Sequence, residues 1–198
     1  MRTSALVAAA LAATTLLPSA TAEAVSPAES GYAYGIAASG PLNLGPLPAV
    51  SEGHASLLGV PANPLLRAGV LNAAAGLTYS RASVADLRIL RAALTASAVT
   101  AVCRAGTGRS SLVDAALAGT RLPVAAGPNT RVGPVGLPGV GSVELTLNKQ
   151  VWQGGRLTVT AISLRALGQQ VSIASATCRA MAAAPTPKPV KNNLPVTG

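Results

Sequence analysis

The chain contains no phenylalanine, one tryptophan (Trp152) and three tyrosines (Tyr32, Tyr34 and Tyr79) in 198 residues. The large aromatic anchors that dominate partner hot spots are nearly missing, and a core has to be built from Ala, Val, Leu and Ile. The only histidine is His54, and the two cysteines, Cys103 and Cys178, lack paired spacing. Zinc sets need several such ligands, so neither a metal nor a cofactor is expected. Carboxylates are scarce as well, six against fifteen basic side chains. Glu52, Asp86, Asp114 and Glu144 offer no evident pair for glycoside cleavage, and Asp86 and Glu144 are expected to answer nearby arginines. A Ser-His-Asp triad would need His54 as base and Asp86 or Asp114 to orient it, but no G-x-S-x-G elbow is present. Residues 106–111 imitate a phosphate loop without its spacing or its lysine, and a turn after Cys103 is the better reading. No catalytic residue is assigned.

What is abundant is positive charge, +9 in total. That favours acidic partners, wall polymers among them. The arginines stand singly along the sequence and aromatic stacking partners are few, so the charge reads as a dispersed surface and specific nucleic-acid binding is not expected.

Both ends carry processing signals. Met1 and Arg2 precede an apolar run over 5–17, broken by Pro18 and Ser19. The run has the length of a signal-peptide core and is too short to span a bilayer. Small residues before Ala22 and Ala24 complete two candidate cleavage sites, so 1–24 is predicted to be removed. No transmembrane segment is expected after processing. At the other end, Leu194-Pro195-Val196-Thr197-Gly198 is an LPxTG motif, the substrate of sortases, which cleave between Thr and Gly and pass the acyl group to peptidoglycan precursor. Residues 182–193 carry Pro185, Pro187 and Pro189 and read as an extended spacer. A full sorting signal continues with an apolar segment and a basic tail. The chain as written stops at Gly198, so the motif reads as a truncated signal: the chain as given is expected mostly in the medium, and wall attachment only where the signal is completed.

Residues 25–181 are then one exported domain, and the predicted class is all-β, a sandwich or compact layered β fold. Val143, Leu145 and Leu147 alternate with polar neighbours as in a half-buried strand. Gly154-Gly155 turns it into 156–164, a hairpin signature. Tyr32, Tyr34 and Ile36 share one parity. Strands are predicted over 66–72, 78–87, 96–104 and 170–178, with short pieces over 112–124. The stretch 40–64 reads as a long loop with short extended pieces, and 133–141 as turn-rich. Residues 87–94 would tolerate a helix and are read as strand and loop. Arg81 to Ala105 also aligns without gaps on Arg156 to Ala180, with Cys103 over Cys178. Two cysteines in an oxidising compartment suggest one disulfide, here joining equivalent strands of a pseudo-repeat.

Several short segments carry a family resemblance: Tyr34-Gly35-Ile36-Ala37-Ala38-Ser39-Gly40, Ala82-Ser83-Val84-Ala85-Asp86-Leu87, Pro128-Asn129-Thr130, Val143 through Gln150, and Ala174-Ser175-Ala176-Thr177-Cys178. In this order they resemble the actinobacterial choice-of-anchor P family of exported surface proteins. The resemblance implies a surface protein and brings no catalytic residues. Three functions stay open. The first is a wall-associated structural or adhesive domain without catalysis, with sortase and peptidoglycan as partners. The second is a polysaccharide- or wall-polymer-binding module using Tyr32, Tyr34, Tyr79 or Trp152 on one face. The third is a secreted hydrolase using His54.

Overall fold

The computed structural model describes residues 30–91 and 93–181. The segment 1–24 expected to be a signal peptide, with Ala22 and Ala24, the expected spacer 182–193 and the motif Leu194, Pro195, Val196, Thr197 and Gly198 lie outside the described residues.

The strands, in chain order, are β1 (Tyr32–Ser39), β2 (Leu44–Val50), β3 (Gly53–Leu58), β4 (Leu66–Arg67), β5 (Val70–Ala75), β6 (Tyr79–Ile89) and β7 (Leu94–Arg104). They continue with β8 (Thr107–Val113), β9 (Ala116–Leu117), β10 (Thr120–Arg121), β11 (Thr130–Leu137), β12 (Gly141–Gln153), β13 (Arg156–Ala166) and β14 (Gln169–Arg179). One sheet has the order β11-β12-β13-β14-β1-β2. The other runs β10-β9-β7-β6-β5-β3, with β4 beside β6 and β8 beside β7. The paired strands run antiparallel throughout. The domain is therefore all-β, with two antiparallel sheets in a sandwich-like arrangement. The sheets face each other through β14 on β6 and β7, β13 on β8, and β1 on β5.

The interior is aliphatic. Leu71, Val84, Leu94, Val99, Leu145, Leu147, Leu157, Ile162 and Ile173 are almost wholly buried with many alanines, and no aromatic ring is buried among the described residues. Small side chains let the layers approach. At Gly108 on β8, an added Cβ would collide with Val159 and Leu157 of β13, so the second sheet comes close to the first there. The Gly154-Gly155 hairpin forms as read from the sequence: both residues have positive φ, 56° and 72°, which a two-residue turn matched to strand twist requires.

Three sequence readings need correction. Residues 40–64 are not a long loop: β2 and β3 lie there, joined by Ser51 and Glu52, one at the edge of each sheet. Pro46 and Pro48 obscured β2, and an edge strand tolerates proline because its outward side needs no donor. The same holds for Pro134 in β11, the other edge of that sheet, where pairing with β12 shifts between Val132 and Val135. Residues 107–111 are strand rather than turn, since the turn takes only Ala105 and Gly106.

The third correction concerns Ile36. It does not share a face with Tyr32 and Tyr34: it is buried, while they are partly exposed. The reason is a crease across the four central strands of the sheet, β12, β13, β14 and β1. The core-facing apolar residues of β14 are Val171 and Ile173 on one side of Ala174, and Ala176 and Cys178 on the other. On β13 Leu157 and Val159 give way to Ile162 and Leu164, and on β1 Ala33 gives way to Ile36 and Ala38. Parity changes at one level in these four adjacent strands, through Gly35 on β1, Ala174 on β14, Ala161 on β13 and Asn148 on β12. Ala174 and Asn148 hold φ near +49° and +48°, and a left-handed residue within a strand turns the following side chains to the opposite face. The second sheet has its own crease through Asp86 (φ 50°), Ser97 and Asp114 (φ 47°).

Cys103 on β7 and Cys178 on β14 form a disulfide between the sheets, with Cα atoms 5.5 Å apart. Beside it, the Ser80 hydroxyl donates to the Thr177 carbonyl at 2.7 Å, a second tie between the layers.

Candidate functional site

Outward-facing positions of three neighbouring strands build the most distinctive surface. Along β6 these are Tyr79, Arg81 and Ser83; along β7, Thr100, Val102 and Arg104; along β8, Thr107, Arg109 and Ser111. Register sets them in rows: Tyr79 beside Arg104 beside Thr107, Arg81 beside Val102 beside Arg109, and Ser83 beside Thr100 beside Ser111. Most of them line a depression of about 670 Å³ that contains no carboxylate. Arg81, Arg104 and Arg109 are all exposed. Three of the arginines that stand singly in the sequence are therefore gathered in space by antiparallel pairing. The signal that could have found them is parity within adjacent hairpin strands, which needs the register to be known.

Further along the same face the crease brings in acid. Asp86 and Asp114 flank Ser97, whose Oγ lies 3.3 Å from Asp114 Oδ2. Gly69 packs against Asp86, where an added Cβ would meet Oδ2 at 3.0 Å. Beyond the crease, Arg67 pairs with Arg88 across β4 and β6, and these two line a smaller hollow with Arg91.

The structure does not assemble the hydrolase constellation. His54 sits on the exposed edge strand β3 opposite Ala74, and its row reaches β6 at Arg81, far along the strand from Asp86. No group of His, Cys, Asp and Glu suited to a metal is present among the described residues. Glu144 lies opposite Arg165 across β12 and β13.

The aromatic rings occupy separate surfaces. Tyr32 and Tyr34 share one, with ring centroids 5.8 Å apart, above the Thr158–Thr177 hydroxyl pair at 2.9 Å. Burial, reinforced by Tyr34, holds the Tyr32 hydroxyl above its ordinary pKa. Trp152 is 55% exposed at the end of β12, over Gly106 of the β7–β8 turn. Tyr79, 42% exposed, is on the outer face of the other sheet. A single aromatic platform from all four is not formed.

Residues 128–130 and 143–150, read as family-like segments, meet in a structural network. Asn129 Oδ1 accepts from the Gln150 amide at 2.9 Å, and Asn148 Nδ2 donates to the Ala126 carbonyl at 2.9 Å. Gln150 Nε2 donates to Asn148 Oδ1 at 3.2 Å and to the Gly108 carbonyl of the other sheet at 3.0 Å. Asn148 is buried, so these bonds satisfy an amide that would be costly to strand. Comparison with family models, curated proteins and solved structures finds no match for the chain.

Proposed function

We propose that this chain is an exported surface domain held at the cell wall by its C-terminus, with a non-catalytic structural or adhesive role. The observation that carries the reading is the position of the disulfide. β14 is the last strand before the spacer, and it lies inside its sheet between β13 and β1. A domain tethered through its C-terminus takes load first on this strand. Cys178, one residue from the end of β14, ties it covalently to β7 of the opposite sheet. The gap-free alignment of Arg81 to Ala105 on Arg156 to Ala180 supports the same picture: it sets the β6–β7 hairpin over the β13–β14 hairpin, and the disulfide joins their aligned ends. The LPxTG motif, the spacer, the signal segment and the choice-of-anchor P resemblance all point to the same place in the cell.

The test is expression in a sortase-bearing host with the sorting signal completed by an apolar segment and a basic tail after Gly198. The domain is expected in the wall fraction, released by muramidase, with its N-terminus just after Ala22 or Ala24. A protein that keeps Met1 and stays in the membrane fraction would overturn the reading.

A polymer-binding role is the second reading, favoured by the cationic depression on β6, β7 and β8.

A further inference from the structure

We infer that the depression around Arg81, Arg104 and Arg109 binds a phosphodiester-linked polyol chain. The inference uses the wall reading only to choose the kind of polymer, and the site stands on its own geometry.

Charge selects the ligand class first. Three guanidinium groups face one hollow with no carboxylate among its lining. Each guanidinium presents a planar fork of donors that matches phosphate oxygens. The hydroxyls of Thr100, Thr107 and Ser111 line the same hollow and add neutral donors between the cations. Spacing selects an extended ligand. Arg81 and Arg109 stand in one row two strands apart, separated by Val102, which places their Cα atoms roughly 10 Å from each other. Arg104 lies one step along the strand from that row. That spread suits successive phosphates of one chain, which can engage the three guanidinium groups without drawing them together against their mutual repulsion.

The aromatic content argues against two other polyanions. Single-stranded nucleic acid is gripped through stacking of its bases on several rings, and Tyr79 is the only ring in the depression. Sugar rings likewise favour aromatic platforms, and no ring besides Tyr79 is among the residues that line the depression. A flexible polyol backbone needs no platform. Val102, half-buried between the arginines, offers it a small apolar floor.

The same sheet face supplies an internal control. Arg67, Arg88 and Arg91 form a second cationic group, cut off from the first by Asp86 and Asp114 in the crease. Substituting either trio removes the same charge.

The experiment measures binding of the full chain to poly(glycerol phosphate) by titration calorimetry across a salt series. Polygalacturonate, dextran and oligo(dT) are run in parallel. Arg81→Gln/Arg104→Gln/Arg109→Gln is compared with Arg67→Gln/Arg88→Gln/Arg91→Gln, each checked for an unchanged circular dichroism spectrum. The wild type is expected to bind the phosphate polymer most tightly and to weaken steeply with salt. The first triple variant is expected to lower the magnitude of the log K against log[salt] slope by about 2, the share of three lost phosphate contacts on a single strand. The second triple variant is expected to keep most of the slope. Equal losses in the two variants would reduce the site to net charge and overturn the inference. So would no binding, or oligo(dT) or polygalacturonate bound as tightly as the phosphate polymer. None of these outcomes depends on whether the chain reaches the wall, so this failure is separate from failure of the surface reading.

Discussion

Cys103 and Cys178 occupy the same place in two hairpins: each is the penultimate residue of the second strand, β7 in one sheet and β14 in the other, and their Cα atoms lie 5.5 Å apart. The bond closes a loop with a sequence separation of 75. Chain entropy alone assigns such a closure about 4–5 kcal/mol, an upper figure because unfolded chains keep some structure. Cys103→Ala/Cys178→Ala is expected to lose most of this in urea unfolding, a large part of a typical net stability of about 5–15 kcal/mol. A loss below about 1 kcal/mol would contradict the entropic account.

The same bond has a mechanical signature. Pulled between its termini, the oxidised domain hides the segment between the cysteines from extension. With a separation of 75 residues and at most about 3.3–3.6 Å per residue, reduction should lengthen the fully unfolded chain by about 250 Å. Single-molecule extension with and without reductant measures this. An unchanged contour length would mean that the bond is absent from the secreted protein.

The all-β class, the Gly154-Gly155 hairpin and the strand at 143–147 were legible because alternation and turn residues are local signals. The edge strands β2 and β11 were not, because Pro46, Pro48 and Pro134 argue against strand unless the edge position is known. Ile36 was placed on the wrong face because the sequence does not mark Gly35 as a point of parity reversal. The arginine cluster was hidden for a related reason. Arg104 and Arg109 lie close in sequence on the two arms of the β7–β8 hairpin, but 107–111 read as turn rather than strand, and Arg81 is distant, so only the register of β6, β7 and β8 shows that the three share one face.

Tyr32 provides a pH-dependent reporter. Burial first, and Tyr34 second, favour its neutral form in the folded state. Its folded pKa lies above the unfolded value of about 10. The stability linked to this group is therefore complete below that value and is lost as pH rises through the raised folded pKa. Ultraviolet titration of the native protein should show a tyrosine component ionising above the usual range, and Tyr32→Phe should remove it. Persistence of that component in the variant would assign it to another ring.

Gly108 reports on the spacing of the layers. It pairs with Cys103 across β7 and β8, and a Cβ there would run into Val159 and Leu157 on β13. Both neighbours are buried side chains with little room to move. Gly108→Ala is expected to destabilise the domain by about 1–3 kcal/mol through overpacking. Gly45→Ala on β2, where nothing lies within 4 Å of the added atom, serves as the control and should change stability by less than about 1 kcal/mol.

Asp86 tests the crease itself. It is exposed on β6 and holds φ at 50°. By burial alone, substitution there should be nearly neutral. By backbone conformation it should not, because the left-handed region is open to Gly, Asn and Asp but closed to β-branched side chains. Asp86→Asn and Asp86→Gly are therefore expected to stay within about 1 kcal/mol of the wild type. Asp86→Val should cost on the order of 1–3 kcal/mol despite its exposure. The cost has a structural source: without the left-handed residue, Val84 and Leu87 cannot both point inward, and both are buried. Denaturant unfolding of the three variants measures the difference. Equal stabilities for Asp86→Val and Asp86→Asn would show that β6 reverses its parity by some route other than the conformation of Asp86.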